Sequence, residues 1–101
     1  MPIFMRVEWT AQAEKDFEKY VNFLAKNISY KASADFMEAT FDTIEKIRYP
    51  LVNYQIVDST KGIRKCKINK FVDLYYKIID EEYLQIRTFF DSRQNPDKLK
   101  L

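Results

Sequence analysis

The hydrophobic period of this chain changes once, and that change limits what it can fold into. Between residues 11 and 47 apolar side chains recur every three or four positions; between 64 and 90 they recur every second position. The first spacing belongs to helices and the second to strands. One switch in 101 residues predicts a single α+β domain over 1–101, with a helical layer followed by a sheet.

In the helical part, Ala13, Phe17, Tyr20, Val21 and Leu24 share a face, with charged residues opposite. Thr10 precedes them as an N-cap, so a helix is expected over about 11–26. Glu14 and Asp16 sit near its positive end. Ser29 caps a second helix, expected over 30–47, whose face carries Ala32, Phe36, Thr40, Ile44 and Ile47. Pro50 disfavours helical geometry at Tyr49 and stops it. The two make an αα-hairpin that needs another layer to cover its apolar side. Ahead of it, the β-favouring run 3–9 reads as a first strand.

Residues 51–61 read as irregular, anchored through Leu51, Tyr54, Ile56 and Val57, with Ile56-Val57 as a short strand at most. Three strands follow, over 64–68, 71–79 and 83–90, with turns at Asn69-Lys70 and Asp80-Glu81-Glu82. With the first strand they form a roughly four-stranded sheet. One face takes Cys66, Ile68, Val72, Leu74, Tyr76, Ile78, Leu84, Ile86, Thr88 and Phe90, and is expected to meet the helices. The other takes Lys65, Lys67, Phe71, Asp73, Tyr75, Lys77, Ile79, Tyr83, Gln85, Arg87, Phe89 and Asp91, and is expected to stay open. Its rings and cations suit an acidic or amphipathic partner, and equally an ordinary solvated sheet face whose lysines deter edge association.

Charge is uneven. Residues 1–60 hold seven basic and nine acidic side chains, whereas 61–101 hold ten basic and six acidic. The basic excess therefore sits in the sheet, where it steers anionic partners. There is no histidine, one glycine and one cysteine. The usual neutral-pH base, a glycine-rich phosphate loop, a disulfide and a cysteine metal cluster are all excluded, so neither cofactor nor metal is expected. Cys66, on the apolar face, reads as a small buried hydrophobe. No signal-peptide pattern and no apolar run of membrane-spanning length are present, which leads to the expectation of a soluble cytoplasmic protein without membrane contact.

The order β-αα-βββ, the strand ending Tyr75-Tyr76-Lys77-Ile78 and the terminal run from Phe89 to Leu99 (Phe-Phe-Asp-Ser-Arg-Gln-Asn-Pro-Asp-Lys-Leu) resemble the RelE/ParE superfamily of toxin–antitoxin toxins, in its ParE-like, plasmid-stabilisation branch. The likeness runs from Val7 to Leu99. It implies a small toxin neutralised by a cognate antitoxin, with operator DNA contacted only through that antitoxin. It also lets the superfamily's mRNA-interferase pattern be tested. That pattern would place catalytic lysines at Lys65 and Lys67 and retain its later arginine at Arg93. Its other arginine would fall on Asp73 and its tyrosine on Leu99, so two positions are lost. The ParE-like members that poison DNA gyrase without those groups are the nearer comparison. The resemblance thus implies a non-catalytic inhibitor binding gyrase first, an endoribonuclease using Lys65, Lys67 and Arg93 second, and a degenerate toxin acting only as a binding protein third. The candidate partner-binding residues are Arg64, Lys65, Lys67, Tyr75, Lys77, Arg87 and Arg93.

Overall fold

The computed structural model describes residues 5–49 and 54–101. Strand β1 (Arg6–Trp9) leads into helices α1 (Ala11–Asn27) and α2 (Tyr30–Ile47), followed by strands β2 (Ile56–Asp58), β3 (Ile63–Lys67), β4 (Val72–Ile78) and β5 (Tyr83–Asp91). A 3-10 turn, Pro96–Lys98, lies in the tail. The expected start of the first strand at residues 3 and 4, Pro50 and the Leu51 anchor lie outside the described residues.

Both helices begin where the capping chemistry placed them. The Ala13 amide donates to Thr10 Oγ1 at 3.0 Å, and the Ala32 amide to Ser29 Oγ at 2.9 Å. Ser33, buried in α2, donates to the Val21 carbonyl of α1 at 3.0 Å and ties the hairpin. In the sheet, Asn69 Oδ1 accepts from the amides of Phe71 and Val72, both at 2.9 Å. Asp80 Oδ1 does the same for Glu82 and Tyr83. These side-chain acceptors make turns without glycine.

Among the described residues the sheet has five strands, in the order β1-β5-β4-β3-β2. β1 runs parallel to β5; the remaining pairs are antiparallel. The short β2 adds an edge strand. Tyr54 packs against the core, but Ile56 and Val57 are exposed rather than the anchors their hydrophobicity suggested. The helical hairpin covers one side of the sheet, and Phe36, Ile44, Ile47, Leu74, Tyr76, Leu84 and Ile86 fill the space between. Trp9, Phe17, Phe36 and Phe89 form a run of ring contacts there, with centroids 5.3–5.7 Å apart.

That last ring marks a departure from simple alternation. Tyr76 pairs with Ile86 and Tyr75 with Thr88, leaving Arg87 as an extra residue in β5. A bulge of this kind advances the strand by one position and reverses the faces beyond it. Phe89, expected on the open face, is therefore buried against Phe17 and Trp9. Asp91, opposite Val72, also turns to the helix side, while Phe90 pairs with Asp73 on the outer side.

The outer side is not open either. Ile63, Asp73 and Tyr75 lie on it, and all are buried, at 0, 5 and 7% exposure. The tail accounts for this. It leaves β5 beside Phe71, where the Ser92 amide donates to the Phe71 carbonyl at 2.7 Å. It ends where Lys61 Nζ donates to the Leu101 carbonyl at 3.2 Å, beside the start of β3. Those points lie at opposite ends of β4, so residues 92–101 cross the sheet's outer face as a strap. Leu99 and Leu101 are half-buried along it.

Candidate functional site

The sequence candidates divide between the two sides of the sheet. Lys65 lies opposite Tyr75, Lys67 opposite Asp73, and Lys77 between Ile63 and Gln85, all on the outer face. Arg87, in the bulge, donates to Gln85 Oε1 at 2.9 Å. Of the four expected surface rings, Tyr75 and Phe89 are buried, while Phe71 and Tyr83 are half-covered. Arg6 sits 4.8 Å over the Tyr83 ring. The outer face therefore keeps its cations but presents no uncovered aromatic patch. Arg64 points the other way: it pairs with Tyr76 and donates to the Tyr54 carbonyl at 2.7 Å.

Asp73 is the unusual member. Its Oδ1 is buried without a hydrogen-bond partner, and Lys67 Nζ approaches no nearer than 4.0 Å. Asp73 and the two lysines border a cleft at the edge of β3 together with Cys66 and Tyr54. Burial pushes the Cys66 thiol up, so it stays protonated and unreactive at neutral pH.

Arg93 is on the α1 side. Its guanidinium grips Asp91 through two contacts of 3.0 and 2.6 Å and lies 3.9 Å over the Phe71 ring. The Arg93 hydrogen bond holds the Asp91 carboxyl below its ordinary value. Lys65 and Lys67 thus stand on one side of the sheet and Arg93 on the other.

Next to Arg93 lies a groove of about 320 Å³ that sequence patterning did not reveal. Its walls are α1 from Gln12 to Phe23 and the C-terminal strap, and its floor is the end of β5. β1 pairs with β5 only as far as Ile86, so α1 flanks the remainder of that strand. Asp16 makes this possible. It accepts from the Thr88 hydroxyl and, at 3.3 Å, from the Phe89 amide, replacing the strand neighbour β5 lacks. Thr10 Oγ1 likewise donates to the Arg87 carbonyl at 2.8 Å. Lys19, Lys98 and Lys100 rim the groove, and none forms an ion pair among the described residues. Among the described residues, no group of three or more His, Cys, Asp or Glu side chains could hold a metal ion.

Against this geometry, residues 7–96 match the sequence model of the ParE toxin of the type II toxin–antitoxin system parDE. The chain belongs to the ParE toxin family. No curated protein sequence matches it significantly. Among solved structures, the chromosomal ParDE system of P. aeruginosa aligns at TM-score 0.71 and 13% identity, over 89% of this chain and 98% of that one. A YoeB/ParE toxin from Agrobacterium tumefaciens aligns at 0.62 and 16%, over 86 and 98%. The E. coli DinJ-YafQ toxin–antitoxin complex aligns at 0.57 and 18%, over 90 and 96%. At these identities the likeness is one of fold. Among the described residues of this ParE-family chain, no helix is long and apolar enough to cross a membrane.

Proposed function

We propose that this ParE-family toxin, neutralised by a cognate antitoxin, acts by binding DNA gyrase rather than by cutting RNA. The observation that carries the choice is the separation of Lys65 and Lys67 from Arg93. Cleavage of a phosphodiester needs a base, an acid and positive charge converging on one phosphate. Here Arg93 is committed to Asp91 and Phe71 on the α1 side, and Lys67 sits beside the buried carboxylate of Asp73 on the other. A carboxylate where the nuclease pattern has an arginine repels the phosphate it would have to hold. Inhibition by docking needs no such convergence, and the outer-face cations Lys65, Lys77 and Arg87 remain available for an acidic partner surface. Operator DNA enters only through the antitoxin.

The test is to add the purified protein to gyrase supercoiling reactions and to ribosomes translating a defined message. Loss of supercoiling with intact message is expected. Message cut at the ribosome, with supercoiling unaffected, would overturn the reading in favour of an endoribonuclease. A folded protein inert in both assays would make it a binding protein without toxicity.

A further inference from the structure

Two apolar side chains are buried on the side of the sheet away from the core. Ile63 and Tyr75 stand diagonally across β3 and β4 on the outer face, at 0 and 7% exposure, apart from the cluster that the helices cover. Lys77 and Lys65 occupy the other diagonal, opposite Ile63 and Tyr75 respectively. The four make an apolar centre flanked by two ammonium groups, the pattern of an interface core with a charged rim. A surface of that composition is complementary to a partner patch whose apolar centre is ringed by carboxylates. The strap lies over it instead.

The strap is attached unequally along its length. At its root the Ser92 amide and hydroxyl both donate to the Phe71 carbonyl, at 2.7 and 3.0 Å, and the Gln94 amide donates to the Asp91 carbonyl at 3.0 Å. Arg93 adds its grip on Asp91 and Phe71. Beyond Gln94 the hydrogen bonds turn inward. Asn95 Oδ1 accepts from the Asp97 amide, the Asn95 carbonyl from the Lys98 amide and the Pro96 carbonyl from the Leu99 amide, each at 3.0 Å. Those bonds travel with the strap when it moves. Among the described residues, the only hydrogen bond from residues 95–101 to another part of the chain is the exposed one from Lys61 to the Leu101 carbonyl. Leu99 and Leu101 add two half-buried side chains. An exposed charged contact contributes little, and holding residues 95–101 in place costs conformational entropy. Lifting them breaks one hydrogen bond, uncovers two leucines and disturbs no strand pairing, which is the profile of a local opening far below global unfolding.

We infer that residues 95–101 are a detachable cover, hinged at the Ser92–Gln94 root. Closed, it hides Ile63 and Tyr75; lifted, it presents them, with Lys65 and Lys77, to an acidic target surface. The closed form is the weaker inhibitor, because the target binds only the open fraction. For the identity of the target the inference rests on the gyrase reading; for the movement of the strap it does not.

The experiment measures opening and inhibition separately. Opening is read by thiol labelling of the full chain carrying Tyr75→Cys, with Ile63→Cys as a second variant should the first fold poorly by circular dichroism. Cys66, buried on the helix side of the same sheet, is the internal reference for global unfolding. The introduced thiol should react at least about 100-fold faster than Cys66. Ending the chain at Gln94 should speed it at least about tenfold further and leave Cys66 unchanged. Inhibition is read as the half-inhibitory concentration in gyrase supercoiling. Ending the chain at Gln94 should lower it about fivefold. Lys61→Cys with Leu101→Cys, joined by a bis-maleimide, should raise it at least about tenfold over the same variant capped with a monofunctional maleimide. An introduced thiol that reacts no faster than Cys66 overturns the inference, and so does a joined variant that inhibits as well as the capped one. If the wild type leaves supercoiling intact, the gyrase reading fails and the labelling alone decides whether the strap opens.

Discussion

Asp16 offers a direct test of how the end of β5 is held. Replacing it with alanine removes the acceptor for the Thr88 hydroxyl and the Phe89 amide, both on a strand segment without a β1 neighbour. Hydrogen bonds to a charged group are each worth about 1.5–3 kcal/mol net, and partial solvent access at Asp16 lowers that range. A loss of about 3 kcal/mol follows for Asp16→Ala. A domain of this length has roughly 5–15 kcal/mol in total, so the variant should fold but be visibly weakened. With a urea slope of about 1.5 kcal/mol per molar, the midpoint should fall by about 2 M. Asp16→Asn keeps an acceptor and should cost about 1 kcal/mol. Thr88→Val removes only the hydroxyl and should cost a similar amount. The double variant Asp16→Ala, Thr88→Val should then be less destabilised than the two singles added together, with a coupling of about 1 kcal/mol. Glu14→Ala controls for the helix dipole, worth about 0.5 kcal/mol. Additive single effects, or a midpoint for Asp16→Ala within 0.3 M of wild type, would refute this account of the strand edge.

Four further outcomes follow from the same structure. Gly62 has φ of +71° with open space where a Cβ would sit; Gly62→Ala should therefore cost only the backbone strain, about 1 kcal/mol, read as a melting temperature roughly 5 °C lower. Asp91 is depressed by its Arg93 hydrogen bond, so its contribution is complete above the ordinary carboxylate pKa of about 4 and disappears as pH falls through the lower folded value; an acid titration of Asp91→Asn should show a flatter limb than wild type. Burial raises Tyr76 from 10.0 to about 12, so stability should fall between those two values by about 3 kcal/mol, and Tyr76→Phe should remove that loss in alkaline denaturation followed by tyrosinate absorbance. Asp73 has a buried Oδ1 without a hydrogen-bond partner and only the distant Lys67 ammonium at 4.0 Å, so Asp73→Leu should leave the protein as stable as wild type or up to about 1 kcal/mol more so; a loss above about 2 kcal/mol in urea would show that the carboxylate is satisfied.

What could be seen in advance depended on whether the governing signal was local. Thr10 and Ser29 cap helices through amides three residues away, so their role is written beside them. Leu74, Tyr76, Leu84 and Ile86 follow a period that any reader can count. The bulge at Arg87 carries no such mark: neither glycine nor proline accompanies it, and Phe89-Phe90 looks the same whichever ring points inward. Once Arg87 is unpaired, the assignment of Phe89 and Asp91 reverses, and the expected aromatic surface disappears with it. Asp16 looked like a helix-dipole residue because its partners, Thr88 and Phe89, are 72 and 73 positions distant. The strap was hidden for a related reason, since its hold on Lys61 spans 40 positions. The groove arises where α1, β5 and the strap meet, and no segment of the sequence contains it.

The extra residue in β5 divides that strand into two lengths that answer to different neighbours. Tyr83 to Ile86 lie between β1 and β4, whereas Thr88 to Asp91 lie between α1 and β4. Arg87 works as a joint between them. Removing Arg87 would set Ile86 and Thr88 against Tyr76 and Tyr75 in plain alternation, keeping Phe89 and Asp91 on the helix side and Phe90 outside. Arg93 would keep its anchor and α1 its ring contacts. A single-codon deletion there would straighten the strand without changing the side on which its later residues stand.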